Sequence, residues 1–250
     1  MIFDEGYQFG LGAFETIAIY KGKAVFLEEH LQRLRDALTF LEIVQEITTN
    51  DVYDFIIKNN IVNGAIKIIL SNKNIFIFSR DNPYDFKFYS EGFKLNFSDI
   101  RRNETSPFTY HKTLNYGECI ITKRMAKKLN VDDMIFLNTK EQICECSTCN
   151  IFFVKNGIVY TPPVESGILR GIVRNYICDE YPVKEKAIYV KEIVDYDECF
   201  VTNSLMGIVP VKKIGEHYFK KCEFTESVYN RYFQHCLSKG FYCKNLKKCK

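Results

Sequence analysis

Residues 14–20 alternate along Phe14-Glu15-Thr16-Ile17-Ala18-Ile19-Tyr20 with the two-residue period of a strand, and Lys21-Gly22-Lys23 turns that run into Ala24-Val25-Phe26. The pattern predicts a hairpin. From Leu27 the period lengthens: Leu27, Leu31, Leu34, Leu38 and Leu41 recur at steps of three and four, the stripe of an amphipathic helix, with His30, Arg33 and Ala37 beside it. A second helix is predicted over residues 51–58 with Asn50 as its cap, followed by strands at 65–70, 75–79 and 93–97. Periodicity is lost over residues 99–109, which carry Arg101, Arg102, Asn103, Ser106 and Pro107, and this segment reads as a linker.

Beyond it the spacing predicts a helix at 116–129, a strand at 134–137, and a hairpin pairing 151–154 with 158–160 around Asn156-Gly157. A helix opening at Leu169 or Gly171 and reaching Glu180 follows, then strands near 187–190 and 198–201 and a last helix over 226–237. Mixed strands and helices in two blocks indicate an α/β (α+β) protein of two domains, residues 1–105 and 113–250, with 106–112 as the linker region.

With 250 residues, 46% hydrophobic and 26% charged, the chain can bury a full core. Its 34 basic residues against 31 acidic give a formal charge of +3, too balanced for a nucleic-acid footprint, and the basic run 244–250 reads as a frayed tail. No basic-then-apolar leader and no apolar run of roughly 18 residues is present, so a cytoplasmic location without membrane contact is expected. Ten cysteines in such a chain are expected as reduced thiols. Cys144, Cys146 and Cys149 offer three ligands without a matching second pair, so buried thiols are expected there and no metal.

Three segments carry candidate chemistry. His111-Lys112-Thr113-Leu114-Asn115-Tyr116 holds a lysine where the linker ends; Glu145 precedes Asn150 and apolar Ile151-Phe152-Phe153, an unusual setting for a solvated acid. Gly167-Ile168-Leu169-Arg170-Gly171-Ile172-Val173-Arg174 places glycines before a helix start, where bare amides suit a phosphate. Read singly, each has an ordinary alternative: a surface lysine, an acid in a turn, a common helix start. Arg33 in His30-Leu31-Gln32-Arg33-Leu34 has Glu29 four residues before it, so a surface helix pair explains it equally well. Thr202-Asn203-Ser204 reads alone as a polar turn, and Gly10-Leu11-Gly12 as a glycine turn into a strand.

Taken together, in this order and spacing, these segments resemble the class IV aminotransferase family, the fold-type IV pyridoxal phosphate enzymes. The resemblance implies a small N-terminal α/β domain, a larger pseudo-barrel-like C-terminal domain, the cofactor pyridoxal 5'-phosphate between them, and a homodimer acting on a small-molecule substrate. It implies Lys112 as the catalytic amine that condenses with the coenzyme aldehyde, and Glu145 as partner of the ring nitrogen. It places Leu169 against the ring, and gives the phosphate to Arg33, Ser204, the helix start at Gly171 and the amides of Ile172 and Val173; where the family often has Thr, Val173 offers only its backbone. Residues 202–211 look like the lyase version of the family's turn. Elimination of pyruvate from aminodeoxychorismate to give 4-aminobenzoate, a folate precursor, is therefore the expected activity. Transamination of D-amino acids or branched-chain L-amino acids is the alternative, and a coenzyme-binding protein without catalysis is the non-enzyme reading.

Overall fold

The computed structural model of the chain describes residues 2–238; the basic run 244–250 lies outside them. A short helix, α1 (Glu5–Phe9), is capped by the Asp4 carboxylate, which accepts from the amides of Gly6 and Tyr7. The predicted hairpin follows as β1 (Gly12–Tyr20) and β2 (Lys23–Ala24), with Lys21 and Gly22 both at positive φ in the turn. Next, α2 (Leu27–Phe40) buries the predicted stripe of Leu27, Leu31, Leu34 and Leu38.

The following helix, α3 (Thr49–Lys58), begins earlier than its sequence pattern suggests, because Thr48 rather than Asn50 caps it. The Thr48 hydroxyl accepts from the Asp51 amide while the Asp51 carboxylate accepts from the Thr48 amide. Strands β3 (Asn63–Ser71) and β4 (Asn74–Arg80) then complete an antiparallel sheet in the order β2-β1-β3-β4. Alternate residues of β1 and β3, among them Ile17, Ile66, Ile68 and Leu70, pack with the α2 stripe and with Val52 and Ile56 of α3 into one apolar core.

A larger set of elements follows: α4 (Phe86–Glu91), β5 (Phe93–Arg102), α5 (Gly117–Lys128), β6 (Asp133–Asn138), β7 (Ile143–Cys146), β8 (Asn150–Lys155) and β9 (Ile158–Thr161). The chain continues through α6 (Ile172–Glu180), β10 (Val183–Glu185), β11 (Glu198–Asn203), β12 (Gly207–Ile214), β13 (His217–Tyr218) and α7 (Glu223–Ser238). Among the described residues these strands form a nine-stranded mixed sheet in the order β10-β9-β8-β11-β12-β5-β6-β7, with β13 added to β12. The sheet curls into a half-barrel. β5 runs parallel to both β6 and β12, while β8, β9 and β11 pair antiparallel. The β8–β9 turn is the predicted Asn156-Gly157, both residues at positive φ.

Two expectations change here. β5 continues to Arg102, because Arg101 and Arg102 pair with Leu137 and Asn138 of β6, so part of the segment read as linker is strand. The strand near 187–190 does not form: Tyr189 makes a single bridge to Gln142, and Val190–Asp195 is a 3-10 helix.

Contacts divide the chain into two compact units. Of the described residues, the first takes 2–85, 111–115 and 232–238, and the second takes 86–110 and 116–231. The division is discontinuous in sequence, whereas the pattern of the chain suggests one boundary at 106–112.

Candidate active site

Lys112 belongs to the first unit and is fixed through its backbone. The Phe14 amide donates to the Lys112 carbonyl at 3.1 Å, the Leu114 amide donates to the Gly12 carbonyl at 2.8 Å, and Thr113 bridges Ala13. Residues 112–114 thus dock on the opening stretch of β1. The ammonium lies 4.4 Å from the centroid of the Phe14 ring, a cation–π distance. His111, next in sequence, stacks on Phe40 with centroids 4.2 Å apart.

Beside Phe14, Glu15 is fully buried on β1 and faces α2. Its carboxylate accepts from Arg33 Nε at 2.7 Å, from Arg33 Nη2 at 2.8 Å, and from His30 Nδ1 at 2.7 Å. Burial pushes the Glu15 carboxyl up, but the charge of Arg33 and the donors around it outweigh that, and it lies below the usual carboxylate range. His30 is pushed down from its ordinary 6.5, first by burial, against the pull of Glu15; the charges of Arg33 and Lys112 act in the same direction as burial. Arg33 is therefore a held fork on a buried acid rather than a surface partner of Glu29. The reason is the register that sets Glu15 across from the α2 stripe.

Glu145 lies in the second unit, on β7, 5% exposed. Donors engage both oxygens: Arg102 Nη2 at 2.8 Å on Oε1, and Asn150 Nδ2 at 3.1 Å with the Leu169 amide at 3.2 Å on Oε2. Asn150 also donates to the Leu169 carbonyl at 2.9 Å, tying the acid to the segment before α6. A Cβ on Gly171 would sit 1.9 Å from Asn150 Oδ1, so only glycine allows this close approach. Gly171 is the N-cap of α6 and makes no side-chain capping bond, which leaves the first amides of the helix, those of Ile172 and Val173, without a side-chain cap.

Ser204 lies half-buried in the turn after β11. Asn203 closes that turn, its Oδ1 accepting from the amides of Leu205 and Met206 at 2.9 Å each. The neighbouring Thr202 hydroxyl is buried with no partner among the described residues. Opposite it in the sheet, Thr202 pairs with Asn150.

Several positioning residues escape sequence reasoning. Arg102, in the segment read as linker, is the ion-pair partner of Glu145. Buried Asp133 accepts from the Ser147 hydroxyl, from Thr148 Oγ1 at 2.8 Å and from Lys123 Nζ at 3.1 Å, fixing the turn between Glu145 and Asn150. Glu15 and His30 lie in the segments 14–20 and 30–34, whose pattern gives neither a role. The three clustered thiols are buried, and burial pushes Cys144, Cys146 and Cys149 above the usual thiol range. Cys144 donates to the Ser166 carbonyl at 3.0 Å, and among the described residues no three His, Cys, Asp or Glu side chains are grouped to hold a metal.

These features define a class before they define a reaction. A basic heteroaromatic nitrogen needs an acid such as Glu145, a phosphate dianion needs uncapped amides and a nearby hydroxyl, and an aldehyde needs a primary amine. Within the second unit, Glu145, the amides at the start of α6 behind Gly171 and the buried Thr202 hydroxyl are groups that fit the ring and phosphate of pyridoxal phosphate, and within the first unit Lys112 offers a primary amine. The chain belongs to the amino-transferase class IV family, whose model matches residues 12–214, and the family's members are pyridoxal phosphate enzymes.

The chain is similar to aminodeoxychorismate lyase of Bacillus subtilis, 28% identical over 86% of this chain and 81% of that one. It is also similar to D-alanine aminotransferase of Listeria monocytogenes, 27% identical over 84% and 81%. A solved structure from Legionella pneumophila, named "Putative 4-amino-4-deoxychorismate lyase", superposes with a TM-score of 0.83 at 29% identity, covering 93% of this chain and 94% of its own. The fold is that of the type IV enzymes. Among the described residues no helix is long and apolar enough to cross a membrane.

Proposed function

We propose that the chain is a pyridoxal phosphate-dependent 4-amino-4-deoxychorismate lyase, releasing pyruvate and 4-aminobenzoate. The observation that carries this reading is the segment 202–211, Thr-Asn-Ser-Leu-Met-Gly-Ile-Val-Pro-Val, which resembles the lyase form of the family's turn and is closed by the Asn203 side chain. The likeness to the Bacillus subtilis and Legionella pneumophila proteins supports it.

In this proposal Lys112 holds the coenzyme, Glu145 holds the proton of its ring nitrogen, and Leu169 packs against the ring. The amides of Ile172 and Val173, the Ser204 hydroxyl and Arg33 bind its phosphate, and Gly171 leaves room for the approach. Bound there, pyridoxal phosphate supplies an aldehyde carbon for the substrate amine and a ring that accepts electron density. With the coenzyme bound, Lys112 Nζ would be the base that takes the proton from the substrate carbon carrying the amine. The electron pair left behind would expel the neighbouring enolpyruvyl ether oxygen, the C–O bond would break as the ring becomes aromatic, and the enolpyruvate, taking up a proton at its methylene carbon, would leave as pyruvate. No keto-acid co-substrate is consumed.

Supplying aminodeoxychorismate to the coenzyme-loaded protein should give pyruvate and 4-aminobenzoate in equal amounts, and Lys112→Ala should give neither. Brisk amino transfer from D-alanine or L-leucine, with no 4-aminobenzoate formed, would move the assignment to an aminotransferase, the reading favoured by the Listeria likeness. We further propose a homodimer, since β4 is an edge strand with Ile75, Phe76 and Phe78 exposed.

A further inference from the structure

We propose that Arg102 is a positioning residue that keeps Glu145 a fixed anion, so that a proton shared between this carboxylate and an aromatic nitrogen rests on the nitrogen. The inference deepens the coenzyme reading above and rests on it. Arg102 Nη2 donates to Glu145 Oε1 at 2.8 Å and to Cys119 Sγ at 3.5 Å, and the guanidinium carbon stands 4.6 Å from the centroid of the Phe136 ring. Arg102 is 13% exposed at the side chain and Glu145 7%, so little solvent screens the pair. Arg102 Nε is buried without a partner among the described residues, and Glu118 reaches Nη1 only at 3.8 Å, across the exposed rim. The guanidinium is thus committed chiefly to Glu145.

Its field acts at the carboxylate first. A cation in contact with a carboxylate lowers its basicity by about 1–3 pH units, and the effect on any group beyond the carboxylate is weaker because distance is larger. Besides Glu118, ionisable groups whose fields bear on this pair include Tyr116, Cys119 and Cys144. Burial raises Tyr116 and Cys144, keeping both neutral near pH 7, so they do not compete with Arg102 for the acid. Asn150 and the Leu169 amide hold the second oxygen by neutral donors, which fix direction but bring no charge. Without Arg102 the most basic atom of the shared hydrogen bond becomes the Glu145 oxygen. The proton then leaves the ring, whose power to accept electrons falls.

The test is nitrogen-15 magnetic resonance of ring-labelled pyridoxal phosphate bound to the full chain, in wild type, Arg102→Gln, Arg102→Lys and Glu145→Gln. Wild type should show the shift of a protonated ring nitrogen, Arg102→Gln a shift moved toward the neutral form, and Arg102→Lys, which keeps the charge, a shift near wild type. Glu145→Gln should show the neutral form, and adding Arg102→Gln to it should change nothing further. A protonated nitrogen in folded, loaded Arg102→Gln overturns the proposal. So does a neutral one in Arg102→Lys, which also decides the matter should Arg102→Gln fail to fold. If wild type takes up no coenzyme, or Glu145→Gln leaves the nitrogen as in wild type, the coenzyme reading itself fails, an outcome distinct from failure of the Arg102 role.

Discussion

At the scale of single residues, two positions govern the proposed site through what they exclude. Gly171 has no Cβ, and the one that alanine would add lies 1.9 Å from Asn150 Oδ1. Gly171→Ala should therefore push Asn150 off Glu145 and the Leu169 carbonyl, with a cost of about 1–3 kcal/mol in the thermal unfolding of the coenzyme-free chain. Coenzyme affinity measured by absorbance titration should weaken with it, and an unchanged affinity would separate Asn150 from the site. His30 excludes protons. Its folded value is depressed by burial below the ordinary 6.5, so the unfolded chain binds the proton more readily, and stability is complete above that pH and declines below it. Glu15, held below the usual carboxylate range, adds its own loss only at still more acid pH. Melting temperatures should thus fall as pH drops from about 6.5 to about 5, and His30→Gln should flatten that window. Lys112, Glu145 and Gly171 can be proposed from sequence because each lies in a short local pattern. Arg102 cannot, since it meets Glu145 only through the pairing of β5 with β6 and of β6 with β7, which no local spacing encodes.

At the scale of elements, periodicity read well where one face is buried. The α2 stripe and the β1–β2 and β8–β9 hairpins appear as their spacing predicts, because each turns one face to a core or has positive-φ turn residues. It read poorly where a strand is buried on both faces or broken by glycine and proline. β12 opens at Gly207 and contains Pro210, yet it sits in the sheet between β11 and β5, and its pattern predicted no strand. β7 is buried throughout at Ile143, Cys144, Glu145 and Cys146, so nothing alternates. The edge strand β4 carries its consequence outward: Phe76 and Phe78 are exposed, and the proposed homodimer would cover such a surface. Phe76→Asp with Phe78→Asp should leave the chain folded but shift it from dimer to monomer in sedimentation. A wild-type monomer would remove the proposal.

At the scale of the whole molecule, the class of fold was legible in the alternation of strand and helix blocks, and the two units were not legible as they stand. The chain passes between them after Asp85, Tyr110, Asn115 and Arg231. A crossing needs no composition shift, since the one after Arg231 falls inside α7, and the five-residue piece with Lys112 is too short to show a period of its own. A fragment ending at residue 105 should accordingly lack a partner for the opening of β1. Hydrogen exchange checks this: the Phe14 amide, which donates to the Lys112 carbonyl, should be protected in the full chain and exchange freely in the fragment. The same threading has a consequence for biosynthesis. On the ribosome β1 to β4 all emerge before the stretch bearing Lys112, so the nascent chain makes the strand that will receive the reactive amine before it makes the amine, and a stalled translation product ending short of residue 112 carries the dock without its cargo.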